Sequence, residues 1–190
     1  MPTHVALLRG INVGGRNRVG MAALRGVVEG LGHTDVATYI QSGNVVFTSA
    51  ETDPGTLAAA LEEAIGDRLG VRPKVVVLSC QELARVVADN PFPGRDNPKL
   101  VHVVFWNGPL GPEEAAAVDA AQQRSQELGS RDEAQVEGST LYLHTPDGFG
   151  RSELAARLTK MGGGQTAGTA RNWATVRKLL AMCGERREPA

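Results

Sequence analysis

Apolar residues recur along the chain at two spacings, which indicates that strands and helices alternate. Short runs of apolar and β-branched residues predict buried strands, and apolar positions three or four residues apart predict amphipathic helices. The turn residues Ser42 and Gly43 predict a tight hairpin between two of the strands. In the first half the predicted strands are 4–8, 36–41, 44–48 and 74–78, and the predicted helices are 21–31, 54–69 and 81–88.

The order of elements then repeats in the second half, where Gly138 and Ser139 predict the corresponding hairpin turn. The predicted strands are 100–106, 134–137 and 140–144, the predicted helices are 112–128, 152–161 and 173–182, and 162–169 is a loop. A repeated β-α-β-β-α unit with its helices on one face of an antiparallel sheet is a ferredoxin-like arrangement. We therefore predict an α+β fold with two tandem ferredoxin-like halves packed into one unit.

The segment PFPGRDNP, residues 91–98, separates the two halves. Its three prolines and one glycine cannot continue a helix or a central strand, so it predicts a linker. The first half is accordingly predicted over residues 1–90 and the second over residues 99–183, which include the C-terminal helix. Residues 184–190 are expected to form a disordered tail.

The composition is that of a globular protein with a real core. Hydrophobic residues make up 42% of the chain and aromatic residues only 4%, so Leu, Val and Ala must fill most of the interior. Arg9 interrupts the first apolar run, which argues against a secretory leader. The apolar run Val75–Leu78 is far too short to span a bilayer. We expect a cytoplasmic protein without membrane association, and its oligomeric state stays open.

The cysteines and histidines show no spacing typical of a metal site. The chain has only two cysteines, Cys80 and Cys183, which we expect to be reduced thiols, as in a cytoplasmic protein without a disulfide framework. Its four histidines have no ligand partner at short spacing. No nucleophile-base arrangement is recognisable, so the catalytic residues stay unidentified and no metal or cofactor is expected.

Charge is distributed unevenly along a chain whose net charge is only −1. Residues 1–28 and 154–183 contain arginines and lysines but no acidic residue, so the middle of the chain is acidic. If the two ends meet in the fold, they form one basic face, which attracts anions including nucleic acid. The alternative is that both segments are ordinary solvated helix and loop surface.

A glycine-rich segment, GINVGGRNRVG, follows the first strand over residues 10–20. Glycines allow backbone N–H groups to converge on an anion, and arginine guanidinium groups fit phosphate in a bidentate manner. The segment matches neither GxGxxG nor a P-loop, and a turn that requires positive φ explains it as well. The anion-binding interpretation makes ligand contacts of Arg9, Gly10, Asn12, Gly14, Gly15, Arg16 and Arg18.

Two further loops carry candidate contacts. Gln41, Ser42 and Asn44 surround the first hairpin turn, where they can bind a base edge or a sugar hydroxyl, or satisfy the backbone of the turn itself. Arg151 lies beside a helix that Ser152 can cap, so the start of that helix is a candidate anion site. An ordinary turn is the alternative at both places.

The segment TARNW precedes the final helix, and Thr169 or Asn172 can cap that helix. Trp173 would anchor the helix by burial. In the functional interpretation, Arg171 and Asn172 lie beside the glycine-rich segment and contact the same ligand. In the alternative, the segment only docks the helix.

The motifs LLRGINVGG, TYIQSGNVVF and TARNW, together with NPFP and YLHTPDGFGRS, resemble the bacterial domain-of-unknown-function family 1697. The resemblance extends from about His4 to Leu180. It implies a cytoplasmic fold with two ferredoxin-like halves, and it implies no activity, cofactor or catalytic residues. The family pattern usually has a proline before the methionine, where this chain has Gly20, which makes the entry to the first helix less rigid.

Three functional hypotheses follow from these features. The leading one is the binding of a phosphate-bearing small molecule or nucleic acid on the basic face, with the glycine-rich segment close to Arg171. The second is an enzyme that acts on a small anionic metabolite in a cleft between the halves. The third is a protein-interaction module. The scarcity of aromatic residues weakens single-strand nucleic acid binding, because bases usually stack on aromatic side chains.

Overall fold

The computed structural model describes residues 1–95, 97–108, 110–138, 140–161 and 168–184 of the 190-residue chain. The elements of the first half are β1 His4–Leu8, α1 Met21–Gly30, β2 Thr34–Tyr39, β3 Asn44–Thr48, α2 Pro54–Leu69, β4 Val75–Ser79 and α3 Cys80–Ala88. Those of the second half are β5 Val101–Phe105, α4 Pro112–Glu127, β6 Glu133–Glu137, β7 Thr140–His144, α5 Glu153–Leu158, β8 Thr169–Asn172 and α6 Trp173–Gly184. A 3₁₀ turn, Phe149–Arg151, precedes α5.

The chain divides into two compact units that are interleaved in sequence. The first unit contains residues 1–85 together with residues from 178 onward, and the second contains residues 86–177. The final helix α6 therefore begins in the second unit and ends in the first. Of the tail predicted over residues 184–190, only Gly184 lies among the described residues, and it is the last residue of α6.

The first unit is built on a four-stranded sheet with the order β2-β3-β1-β4, in which every neighbouring pair is antiparallel. Every residue of β1 is buried, because this strand lies between two others and is covered on both faces. Helices α1 and α2 pack on one face, where Leu24 and Leu61 join a core that contains Ala6, Leu8 and Phe47. The sheet thus carries one continuous apolar core on its helical side.

Helix α2 has the local signals that its sequence predicts. Asp53 caps it by accepting a hydrogen bond of 2.7 Å from the backbone N–H of Thr56, and Pro54 occupies the first turn. Gly70 ends the helix in the left-handed region, at φ 68°. The bounds of this helix are therefore encoded locally, by the residues at its two ends.

The second unit repeats the strand order of the first. Its sheet has the order β6-β7-β5-β8, again with every neighbouring pair antiparallel. Val118 of α4 and Leu158 of α5 pack on Val104, Leu141 and Leu143 in the core of this unit. The prediction of an α+β fold is confirmed as two four-stranded antiparallel sheets covered by helices.

One strand of the second sheet was not predicted. The sequence pattern assigned residues 162–169 to a loop that leads straight to the last helix, but Thr169–Asn172 form the edge strand β8. Phe105 pairs with Thr169, and His102 pairs with Asn172. The sequence TARN has no β-branched or aromatic run, so its strand conformation comes from the neighbouring strand and not from local propensity. Residues 162–167 of the predicted loop lie outside the described residues.

The expectation of two reduced cysteines is wrong in this structure, because Cys80 and Cys183 form a disulfide with their Cα atoms 5.9 Å apart. The two residues are 103 positions apart in sequence, so no spacing rule relates them, and only the fold brings them together. Both belong to the first unit. Among the described residues, no cluster of histidine, cysteine, aspartate or glutamate could hold a metal ion. None of the helices described is long and apolar enough to cross a membrane.

Candidate functional site

The glycine-rich segment, residues 10–20, is called the glycine loop below. Its tip is a two-residue turn in which the backbone N–H of Arg16 donates a 3.0 Å hydrogen bond to the carbonyl oxygen of Val13. Gly14 and Gly15 at the centre of this turn both have positive φ, 58° and 76°. A turn with two consecutive left-handed residues requires glycine or asparagine, which explains the paired glycines in physical terms.

The side chain of Asn12 holds the glycine loop in one conformation. Its Nδ2 donates to the carbonyl oxygens of Val19 at 2.9 Å and of Gln41 at 2.8 Å, and its Oδ1 accepts from the backbone N–H of Val19 at 2.9 Å. Asn17 adds a second tie, since its Nδ2 donates to the carbonyl oxygen of Gly10 at 3.0 Å. The loop is therefore fixed both to itself and to the neighbouring hairpin turn.

That hairpin turn, residues 40–43, packs closely against the start of the glycine loop. Gly43 has φ 76°, and a Cβ atom there would lie 2.7 Å from Ile11 Cδ1 and 2.8 Å from Leu8 Cβ. The carbonyl oxygen of Gly43 also accepts a 2.8 Å hydrogen bond from the backbone N–H of Leu8. Glycine is needed here for both its conformation and its small size.

The polar residues predicted around this turn have different environments. Asn44 is fully buried, and its Nδ2 donates to the carbonyl oxygen of Tyr39 at 3.0 Å and to Ser42 Oγ at 2.9 Å. Asn44 thus satisfies the backbone carbonyl of Tyr39 beside the turn, and the hydroxyl of Ser42 accepts from the same amide. The side chain of Gln41 is exposed beside the glycine loop.

Two exposed apolar side chains accompany these loops. Val13 at the tip of the glycine loop is 67% exposed, and Ile40 at the start of the hairpin turn is 50% exposed. Ile40 also has φ 48°, a left-handed conformation that is strained for a β-branched residue. Such strain is found preferentially at binding and switch regions.

The glycine loop carries positive charge at its exposed surface. The side chains of Arg16 and Arg18 are exposed, and neither forms an ion pair with any residue that the structure describes. The backbone N–H groups of Gly14 and Gly15 likewise donate no hydrogen bond to the described part of the chain. Arg9 is half-buried, and its backbone N–H donates to the carbonyl oxygen of Lys74 at 2.8 Å.

Arg171 is a buried residue of the edge strand β8. Its guanidinium Nη1 donates to Thr169 Oγ1 at 2.8 Å and to the carbonyl oxygen of Ala170 at 2.9 Å, and burial lowers its pKa to about 10. Asn172 caps α6 by accepting from the backbone N–H of Thr175 at 2.8 Å, as the sequence predicts. Arg171 belongs to the second unit and the glycine loop to the first, so their expected proximity stays a prediction.

Arg151 lines a cavity of about 740 Å³ within the second unit. Ser152 also lines the cavity and caps α5, since its Oγ accepts from the backbone N–H of Ala155 at 2.9 Å. The same hydroxyl donates to Asp132 Oδ2 at 2.7 Å, so a carboxylate of the protein already lies at the start of this short helix. The lining residues that bear charge are Arg124, Asp132, Asp147, Arg151, Glu153 and Arg157.

Asp132 is a residue that the sequence reasoning missed. Only 6% of its surface is exposed, although it lies in the strongly polar stretch SRDE that looks like ordinary solvated loop. Its hydroxyl partner Ser152 is 20 residues further along the chain. No local signal distinguishes Asp132 from its acidic neighbour Glu133, because its burial comes from the tertiary fold.

His102 on β5 is half-buried, and the hydrogen bonding of its ring is incomplete in the described part of the chain. Its ring stacks on Phe149 with 4.0 Å between ring centroids, and its Nδ1 atom has no partner among the described residues. Burial lowers the pKa of His102 to about 4. The ring is therefore neutral near pH 7 and acts as part of the packing.

Comparison with known proteins supports the same architecture. The profile of the family described as "Protein of unknown function (DUF1697)" matches residues 1–142, which include LLRGINVGG and IQSGNVVF but not TARNW. The structure of conserved bacterial protein SP0830 from Streptococcus pneumoniae is similar, with a TM-score of 0.72 and 24% identity, over 97% of this chain and 99% of that one. At this level of identity the likeness shows the fold alone. No curated protein matches the chain.

Proposed function

Since the chain belongs to the DUF1697 family of proteins of unknown function, as its motifs predicted, we propose a function from its own residues: the glycine loop binds a phosphate-bearing ligand, either a nucleotide or a nucleic acid. The observation that carries the proposal is the pair of exposed arginines, Arg16 and Arg18, on a rigid loop with no ion-pair partner in the described structure. Guanidinium groups on a fixed backbone are suited to phosphate.

The rigidity of the loop supports binding because it lowers the entropic cost of ordering a site. Asn12 supplies that rigidity through three hydrogen bonds of its amide. The N–H groups of Gly14 and Gly15 at the exposed tip are available as further donors. In this proposal Arg16, Arg18 and the tip glycines contact phosphate, while Asn12 positions the loop.

The remaining candidate contacts have secondary roles in the proposal. Gln41 is exposed next to the loop and offers an amide to a base or sugar. Ser42 and Asn44 shape the turn that supports it. We also retain the prediction that Arg171 of the second unit lies near the glycine loop, and Arg9, Gly10 and Asn172 stay candidate contacts on the same basis.

Binding of ATP and of a single-stranded RNA to the full-length protein at low salt tests the proposal. The double variant Arg16→Ala/Arg18→Ala should bind at least about tenfold more weakly, because each lost charged hydrogen bond is worth about 1–3 kcal/mol. RNA affinity should also fall steeply as salt rises, since phosphate contacts release counterions. Arg25→Ala is the matched control, because Arg25 lies in the same acid-free segment but on α1, 3.9 Å from Glu29.

Two results would contradict this proposal. One is that the wild-type protein binds neither ATP nor RNA at low salt. The other is that the double variant binds both as well as the wild-type protein does. Because Arg16 and Arg18 are exposed, their removal should leave the fold intact, and a circular dichroism spectrum checks that point.

A second candidate function is the binding of a small anionic metabolite in the cavity of the second unit. Its volume of about 740 Å³ is typical of ligand sites. Arg151 and Arg157 line it without an ion pair in the described structure, and the buried Asp132 is held by Ser152. A ligand with both an anionic group and a hydroxyl or amino group would match these side chains.

Native mass spectrometry of freshly purified protein tests this second candidate. We expect a small anion retained by the wild-type protein, lost from Arg151→Ala/Arg157→Ala and kept by Arg16→Ala/Arg18→Ala. That pattern separates the cavity from the glycine loop. A wild-type mass equal to that of the bare chain would contradict the candidate.

We infer, finally, that the two halves are a duplicated ferredoxin-like unit and that the protein acts in the cytoplasm. The duplication is supported by the shared strand order, in which the second strand of each half is at the edge and the first is flanked by the third and fourth. It is also supported by hairpins in equivalent places, between β2 and β3 and between β6 and β7.

A further inference from the structure

We propose that the bond between Cys80 and Cys183 is a reversible redox clasp that holds the end of α6 within the first unit. These residues are the only two cysteines of the chain, and both are used in this single bond. They lie 103 residues apart, so closing the bond links the two ends of a segment that contains the entire second unit. The state of this bond therefore determines whether the end of α6 is covalently linked to α3 in the first unit.

The backbone at Cys80 is firmly positioned. Cys80 is the first residue of α3, directly after β4, and its N–H donates to the carbonyl oxygen of Thr3 at 2.8 Å. Ser79 and Glu82 form a reciprocal cap around it, in which the N–H of Ser79 donates to Glu82 Oε2 at 2.7 Å and the N–H of Glu82 donates to Ser79 Oγ at 3.1 Å. The backbone of Cys80 therefore has a fixed position at the start of α3.

The position of Cys183 is fixed by the burial of α6. Cys183 lies in the last turn of that helix and is 8% exposed, next to the buried Met182, while Leu179 one turn earlier is 1% exposed. Residues 178–184 are the part of α6 that belongs to the first unit. Two cysteines held in place by separate elements have a high effective concentration, which favours the disulfide over mixed disulfides.

The surroundings favour a reversible bond over a permanent structural one. Small domains depend on disulfides when their apolar core is insufficient. Here each unit has its own apolar core, of which Phe47 in the first and Leu143 in the second are fully buried members. Folding therefore does not require the bond. Cys80 is also only half-buried, so an external thiolate has a route to one of the two residues.

Thiol–disulfide exchange with a low-molecular-weight disulfide such as oxidised glutathione closes the bond without any further oxidant. The Cys80 thiolate attacks one sulfur of oxidised glutathione, which forms a mixed disulfide and releases one glutathione thiolate. The Cys183 thiolate then attacks Cys80 Sγ and releases the second glutathione. The protein dithiol is oxidised by two electrons, one disulfide of glutathione is reduced, and the two thiol protons pass to the departing thiolates.

The test equilibrates the purified full-length protein in buffers with different ratios of reduced to oxidised glutathione. Alkylation and intact mass then report free thiols, disulfide and mixed disulfide. We expect complete closure in oxidised glutathione and complete reopening in excess reduced glutathione. The melting temperature should fall by about 5–15 °C on reduction, because the cross-link restricts the unfolded chain. Hydrogen exchange of residues 178–184 should accelerate on reduction, while that of α1 stays unchanged.

Single-cysteine variants provide the matched controls. Cys183→Ser, which retains Cys80, should form a mixed disulfide with glutathione faster than Cys80→Ser does, since Cys80 is more exposed than Cys183. Prepared as free thiols, both variants should melt at the temperature of the reduced wild-type protein, and added reductant should not change that temperature. The thermal comparison therefore separates loss of the bond from loss of the fold.

Three results would overturn the proposal. If the thiols stay free in oxidised glutathione, no clasp forms. If the disulfide persists in excess reduced glutathione, the bond is a permanent structural one. If closure leaves both the melting temperature and the exchange of residues 178–184 unchanged, the bond does not hold the end of α6.

Discussion

The amide nitrogen of Asn12 lies 2.8 Å from the carbonyl oxygen of Gln41 and so joins the glycine loop to the hairpin turn across 29 residues of sequence. The same amide also bonds to both backbone groups of Val19. One side chain thereby determines the shape of the surface from which Arg16 and Arg18 extend. Asn12 holds the conformation of the loop, whereas the side chains of Arg16 and Arg18 would contact the ligand. The stability of the loop and its affinity for a ligand can therefore be tested with separate variants.

Asn12→Gly should destabilise the protein by about 1–3 kcal/mol, because it leaves half-buried backbone groups without their amide partner. Glycine suits the positive φ of 54° at this position, so the change reports the lost hydrogen bonds and not a strained backbone. Urea unfolding measures the effect. Asn17→Gly is the matched control, since Asn17 also has positive φ but makes a single exposed bond, and equal losses in the two variants would contradict the role given to Asn12.

Gly43→Ala should destabilise the protein by more than about 2 kcal/mol, because the new methyl group combines a left-handed φ with contacts under 3 Å. Gly26→Ala is the control, since Gly26 lies in α1 with open space where a Cβ atom would be. That substitution should stabilise the helix by about 0.5–1 kcal/mol. Thermal or urea unfolding of the two variants should show shifts of opposite sign.

Ile40→Gly should stabilise the fold by about 0.5–1 kcal/mol, because glycine removes the left-handed strain at φ 48° and the isoleucine side chain is already half exposed. Most substitutions of isoleucine by glycine destabilise proteins, so the expected sign is unusual and informative. The midpoint of urea unfolding measures it. A loss of more than about 1 kcal/mol would mean that the packing of Ile40 outweighs its strain.

The stability of the fold should decrease as the pH falls below about 6.5, because burial lowers the pKa of His102 to about 4. In the unfolded chain His102 takes up a proton at its normal pKa, whereas in the folded chain it stays neutral until the pH is near 4. This difference destabilises the fold, and the loss of stability is absent above pH 6.5 and complete near pH 4. We expect about 1–3 kcal/mol over this window, since the ring is partly exposed and its charge is screened. His102→Leu should flatten that part of the pH profile, and an unchanged slope would show that other groups cause it.

The elements of the first half were predictable because their signals are local. Asp53, Pro54 and Gly70 mark the ends of α2, and short apolar runs define β1 and β3. β8 could not be predicted, because four residues of mixed polarity become a strand only beside β5. The disulfide could not be predicted either, since it depends on where two distant helix ends meet.

The candidate site was predicted in part. The paired glycines and the two arginines of the glycine loop were recognisable from residue type, and the structure places the arginines at an exposed surface. Asn12, predicted as a ligand contact, has an amide occupied by backbone groups. Arg171, also predicted as a ligand contact, is buried, and its guanidinium donates to Thr169 and Ala170. Residue type therefore indicated which groups have useful chemistry, whereas only tertiary contacts show which of them are free to use it.

The division of α6 between the two units has a consequence for synthesis on the ribosome. Residues 178–184 of the first unit are made after every residue of the second unit has been added. The second unit can therefore be complete while the first still lacks its last helical segment, although most of the first unit emerges earlier. Folding intermediates that form during translation should thus expose the surface that this segment later covers. A chaperone that recognises apolar residues would bind to that surface.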